Sequence, residues 1–199
     1  MNYKEAWNKY CNVKNWHEAG DHVEWAYEQD DDTLIVYFQG SYETIDWIRD
    51  LMIKPVYWDA LPMRIHKGFS KMEYDLVINK DFKDDVIYSD VPKIILIGYS
   101  SGAALAALFA YYFVNYNLGK IISCYLFACP QVSWLHHLDT LCDDTTLIRL
   151  NKDPVPRILG LFGYRKVKDK EIILKSNTSI LKSHLPASYT KAINEKQGD

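Results

Sequence analysis

Lys93-Ile94-Ile95-Leu96-Ile97-Gly98-Tyr99-Ser100-Ser101-Gly102 runs directly into Ala103-Ala104-Leu105-Ala106-Ala107-Leu108-Phe109-Ala110-Tyr111-Tyr112-Phe113-Val114. The β-branched run Ile94 to Ile97 reads as a strand buried on both faces. It ends in Gly98-Tyr99-Ser100-Ser101-Gly102, which fits G-x-S-x-G, and a helix-forming alanine-rich stretch follows at once. Strand, tight turn and helix are the three parts of a nucleophile elbow. A serine on so sharp a turn is strained, and its neighbours two positions away on either side must be small. Gly98 and Gly102 meet that need, and Ala103, Ala106, Ala107 and Ala110 let the helix lie close to the sheet. The alternative is a Ser100 that only caps the helix.

Upstream, Thr33-Leu34-Ile35-Val36-Tyr37-Phe38 reads as a central strand ending in Gln39-Gly40-Ser41. Residues 3 to about 28 read as an aromatic-rich helical segment packed on the domain. Asp30-Asp31-Asp32 reads as a solvated corner, since no calcium-loop spacing follows. Tyr42 to Met52 has helical spacing and stops at Lys54-Pro55. Met63 to His66 suggests a strand, and Phe69 to about Lys80 a helix with Phe69, Met72, Leu76 and Val77 inward. Asp81 to Pro92 reads as a polar connection. Downstream, Ile121 to Ala128 and Thr145 to Leu150 read as strands. Ser133 to Leu141 suggests a short helix, and Tyr164 to Val167 with Glu171 to Leu174 suggests a hairpin. Alternating strands and helices, without repeats or linkers, indicate a single α/β domain over residues 1–199 around a mostly parallel sheet flanked by helices.

The bulk properties exclude several classes. The 199 residues carry a net charge of −3, with 48% hydrophobic and 25% charged positions and a pI near 6.1, and no Lys/Arg cluster marks a nucleic-acid footprint. Cys124 and Cys129 sit in an apolar run as small hydrophobes, and no C-x-x-C spacing suggests a metal. His17 and His22 are one position too far apart for a zinc helix. Neither a metal nor a cofactor is therefore expected. Met1 to Trp7 has no apolar signal core, and Ala103 to Val114 is too short to span a bilayer. With the cysteine usage this gives a cytoplasmic, reducing location as the expectation.

A serine hydroxyl needs a histidine to take its proton and a carboxylate to orient that histidine. In a parallel sheet the ligand edge is the carboxyl edge, and in hydrolases of this architecture the chain order is Ser, acid, His. Asp153 lies just past the second strand after the serine strand; Asp139, Asp143 and Asp144 precede their next strand and fall on the wrong edge. Of the six histidines only His184 follows Asp153, with His136 and His137 as fallbacks. The backbone amide of Ser101 is one expected oxyanion donor. Ser41 is the other, a role compatible with capping the next helix.

These blocks together resemble a compact member of the class 3 lipase family, the fungal-lipase-like serine ester hydrolases. The resemblance runs from Val36 to about Tyr189. Val36 to Ser41 is similar to the strand into the R-G-[ST] oxyanion loop, and Ile45 to Leu51 to the lid-region helix. His66-Lys67-Gly68-Phe69 resembles H-x-G-F, and Asn151-Lys152-Asp153-Pro154-Val155-Pro156 resembles the acid block. The resemblance implies an α/β-hydrolase fold with Ser100 as nucleophile, Asp153 as orienting acid, His184 as general base and Ser41 supporting the oxyanion. His66 would be structural. Tyr42, Trp47 and Tyr99 would face substrate or lid, with Trp47 on a mobile, interface-sensing helix. The elbow departs from the usual His-Ser-Leu-Gly-Gly, Gln39 replaces Arg, and Ala128 replaces a Gly. No catalytic group is lost, and the short chain favours soluble or short-chain esters. The expected partner is a small-molecule or lipid ester, with transient contact at a membrane or lipid interface. A catalytically silent relative that binds a lipid or protein is the alternative, as is a peripheral membrane protein anchored by Tyr42 to Met52.

Overall fold

A computed structural model describes residues 1–20, 23–40, 54–58, 61–116, 119–135, 138–139, 142 and 144–196. In chain order its strands are β1 His17–Ala19, β2 Val23–Asp30, β3 Thr33–Phe38, β4 Pro55–Trp58, β5 Leu61–His66, β6 Lys93–Tyr99 and β7 Ile121–Phe127. They continue with β8 Ser133–Trp134, β9 Leu138–Asp139, β10 Asp144–Leu150, β11 Tyr164–Arg165, β12 Val167–Lys168 and β13 Lys170–Leu174. The helices that matter here are α1 Tyr3–Asn12, α2 Lys67–Ile78, α3 Ser101–Asn115, α4 Val155–Ile158, α5 Ile180–Ser183 and α6 Pro186–Glu195.

The main sheet has seven strands in the order β1-β2-β3-β6-β7-β10-β13. The run from β3 to β13 is parallel, and β1 and β2 add on antiparallel. Strand alternation divides the core in two. Leu34, Val36, Phe38, Ile94, Leu96, Cys124 and Leu126 face α2 and α3. Ile35, Tyr37, Ile95, Ile97, Tyr99, Phe127 and Leu150 face α1 and α6. Because α3 is buried along nearly its whole length, an alanine face suits it, and Phe109 stacks flat on Phe38 with centroids 5.6 Å apart. Among the described residues no helix is long and apolar enough to cross a membrane.

Four expectations need correction. Among the described residues, the helical reading of residues 3 to about 28 holds only for α1, opened by an Asn2–Glu5 capping box. Beyond it, Val23 and Trp25 enter one core and Ala26 the other, so the segment is a strand. Asp31 at φ 49° forms a two-residue turn that pairs Asp30 with Thr33. The expected solvated corner is the exposed turn of this hairpin, and Asp31 suits it because aspartate tolerates left-handed backbone. Asp81 to Pro92 is not a plain polar connection: a helical turn and a π-helical turn, Lys83–Ile87, bury Phe82, Val86 and Ile87. Within the stretch expected as a short helix, the described residues 133–135 and 138–139 are not helical. Leu135 sits at φ 63° and donates its amide to the Gly163 carbonyl, and β8 pairs instead with β5 and β11. Tyr164 to Leu174 is no hairpin either, because β13 runs parallel to β10 and closes the sheet edge with Ile148 opposite Ile172.

His66 ends β5 and caps α2, its Nδ1 accepting the Gly68 amide at 3.2 Å, against the rings of Phe69 and Tyr164. Burial lowers its pKa from 6.5 to about 4.

Two measurements follow from this packing. A Cβ on Gly102 would lie 2.1 Å from the Phe38 carbonyl oxygen, and backbone cannot yield as a side-chain tip does. Gly102→Ala should therefore cost about 2 kcal/mol or more in urea unfolding. For His66 the unfolded chain protonates below pH 6.5 while the folded chain resists until about 4, so stability falls as pH drops through that window. From pH 7 to pH 5 this loss is about 2 kcal/mol. His66→Asn, which keeps a capping acceptor, should lose less by that amount over the same interval.

Candidate active site

The site is built at the carboxyl edge of β3, β6, β10 and β13, where four chain segments leave the sheet together. Ser100 follows β6 at φ 55° and ψ −124°, and its amide donates to the Phe127 carbonyl at 2.9 Å. A non-glycine residue held there stores about 1–3 kcal/mol of strain. Close backbone packing holds it: a Cβ at Gly98 would stand 2.3 Å from the Gly102 carbonyl oxygen. The Ser100 hydroxyl makes no side-chain cap bond to α3 and instead meets His184. The helix-cap alternative for Ser100 is thereby set aside.

Asp153 leaves β10 through a turn in which its own amide donates to the Leu150 carbonyl at 3.2 Å. Its side chain is buried and meets three donors. The Val155 amide reaches Oδ1 at 3.0 Å, the Tyr189 hydroxyl reaches Oδ2 at 2.6 Å, and His184 Nδ1 lies 2.8 Å from Oδ2. A buried carboxylate is tolerable when its lone pairs are met in this way. Burial and the neighbouring Asp153 charge raise the Tyr189 pKa well above its ordinary value, so this hydroxyl stays a donor. The Leu150 amide donates in turn to the Tyr189 oxygen at 3.3 Å.

His184 ends the short α5, docked by the Ser183 hydroxyl, which donates to the Lys152 carbonyl at 3.0 Å. With a carboxylate at Nδ1 the ring proton resides there, leaving Nε2 to accept. Nε2 stands 2.9 Å from Ser100 Oγ. The three side chains thus form one continuous chain of hydrogen bonds, over positions 100, 153 and 184. Ser101, the residue after the nucleophile, begins α3.

Tyr99 is a correction. Expected to face substrate or lid, it lies only 5% exposed beneath His184, ring centroids 5.3 Å apart, and its hydroxyl donates to the His184 carbonyl. Alternation explains the position, since Ile95, Ile97 and Tyr99 share the β6 face covered by α1 and α6. Ser41, Tyr42, Trp47 and the fallbacks His136 and His137 lie outside the described residues. Sequence reasoning missed Tyr189. Its helical spacing with Ala192 and Ile193 marks it as a core residue, and nothing in that pattern reveals a hydroxyl aimed at an acid.

A family model described as Lipase (class 3) matches residues 35–162. No curated protein matches by sequence. Among solved structures, lipase II from Rhizopus niveus superposes with a TM-score of 0.66 at 18% identity, covering 83% of this chain and 67% of that one. The Rhizomucor miehei triacylglyceride lipase gives 0.62 at 18% identity, covering 80% and 66%. Lip2 lipase from Yarrowia lipolytica gives 0.59 at 17%, covering 81% and 64%. The chain therefore spans about two thirds of the length of these fungal lipases, and at such identity the likeness is one of fold. His184 lies beyond the matched residues, so its place rests on the geometry above. With the family match extending over more than half of the sequence, the chain belongs to the class 3 lipases and carries their α/β-hydrolase fold.

Proposed function

We propose that the protein is a cofactor-free serine ester hydrolase acting on carboxylic esters, lipid esters among them. The observation that carries this reading is the Ser100–His184–Asp153 chain, with links of 2.9 and 2.8 Å, at a serine held in left-handed backbone. Ser100 Oγ attacks the acyl carbonyl as His184 Nε2 takes its proton, and Asp153 stabilises the imidazolium. The Ser101 amide and a donor from the segment after Gly40, where Ser41 stands, hold the oxyanion. His184 returns the proton to the leaving alcohol, and a water activated by the same nitrogen then hydrolyses the acyl-enzyme, freeing the acid and restoring Ser100.

Lipid as a substrate class is supported by the family and by apolar side chains on the two segments that carry the acid and the base. Leu161 and Leu181 are each 83% exposed, and Ile180 and Leu185 also face solvent. Such residues beside the site suit transient contact with a lipid interface. The cysteine pattern supports a reducing, cytoplasmic setting, with all four thiols unpaired. A silent binding module is disfavoured because its partners would have no need of a fully connected proton path.

Hydrolysis of p-nitrophenyl butyrate tests the reading. Ser100→Ala should remain folded and lose about 10⁴-fold or more in kcat; undiminished turnover would refute the assignment. Tyr189→Phe removes one hydrogen bond to a charged acid. It should lower kcat about 10- to 100-fold with KM little changed.

A further inference from the structure

We propose that the N-terminal helix α1 is a positioning element of the active site, with Tyr10 holding the oxyanion segment through the Gly40 amide. This inference rests on the hydrolase reading above. The Gly40 amide donates to the Tyr10 hydroxyl at 3.3 Å, which fixes the peptide just before the residue expected to supply an oxyanion donor. Gly40 itself sits against the elbow: a Cβ there would meet the Tyr99 carbonyl oxygen at 2.6 Å and Ser100 Cβ at 3.1 Å. Any drift of this segment therefore moves it relative to the attacking oxygen.

The same helix reaches the other half of the site. Trp7 is buried and packs on Tyr10, Tyr99, Phe127 and Tyr189, with centroids 4.8–5.8 Å apart. Its indole N–H donates to Thr190 Oγ1 at 3.0 Å, on the residue beside the tyrosine that holds Asp153. Tyr10 in turn lies between Trp7 and Trp16, and its ring is 6.3 Å from Tyr99, the residue under His184. One helix thus contacts the oxyanion segment, the elbow and the support of the acid–base pair. It stands outside the family-matched residues 35–162. Oxyanion donors act only when they are already in place as charge develops, and a misplacement of about 1 Å can cost up to about 10²-fold.

Tyr10→Phe deletes the hydroxyl and keeps the ring packing. In an enzyme that hydrolyses p-nitrophenyl butyrate and loses this activity in Ser100→Ala, the variant should lower kcat about 10-fold. KM and the thermal midpoint should change little. Affinity for a trifluoromethyl ketone, which forms a tetrahedral oxyanion adduct, should fall in step with kcat/KM. As a packing control, Phe113→Leu, buried at the end of α3 away from the elbow, should lower the thermal midpoint yet leave kcat per titrated active site near wild type. An unchanged kcat in Tyr10→Phe, ketone affinity unaffected by the substitution, or an equal loss in both variants would overturn the role of Tyr10. Absence of wild-type turnover would instead count against the hydrolase reading.

Discussion

Everything at the site depends on backbone meeting backbone at the elbow. Gly102 lies against the Phe38 carbonyl and Gly98 against Gly102, with no room for a side chain at either position. That contact brings β3, β6 and the start of α3 within van der Waals reach and holds Ser100 in a conformation that a free chain would leave. The Phe127 carbonyl adds the third side by accepting the Ser100 amide. The strain is local, and its cost is offset by the burial around it, where Phe109 of α3 packs on Phe38 and Phe82.

The two faces of the sheet divide the work. The face under α2 and α3 is a dry aliphatic and aromatic core that fixes the strands. The opposite face, under α1 and α6, is rich in tyrosine, and three of its hydroxyls reach groups at the catalytic edge. Tyr189 meets Asp153, Tyr99 meets the His184 carbonyl, and Tyr10 meets the Gly40 amide. Aromatic rings suit this task because a large apolar body buries well while one hydroxyl reaches a partner at the rim. Burial raises the Tyr99 and Tyr189 pKa values, Asp153 adding to both, and so keeps these hydroxyls protonated as donors.

What could be read from the sequence was what local chemistry and topology dictate. Gly98, Ser100 and Gly102 announce a turn that few other residues tolerate. Chain order and the carboxyl-edge rule then single out Asp153 and His184, which stand within 3.0 Å of each other. The misreadings arose where pairing is non-local. Val23 to Asp30 carries aromatics that suit a helix or a strand, and only its neighbour β3 decides the matter. Lys170 to Leu174 is too short to declare whether it folds back on Tyr164 or crosses to β10. Ala128, with φ 53°, occupies a position where a glycine would be unstrained, a cost that composition does not reveal. Tyr189 and Tyr10 look like core aromatics in any window of sequence, because a hydroxyl's partner is set by the fold.

Ser100, hydrogen-bonded to His184, is the hydroxyl that this site activates. Labelling the folded protein with a fluorophosphonate and mapping the adduct by mass spectrometry reads this directly. One adduct per chain, on the peptide containing Ser100 and abolished by prior unfolding, is the predicted result. An unlabelled folded protein, or an adduct on another residue, would contradict it.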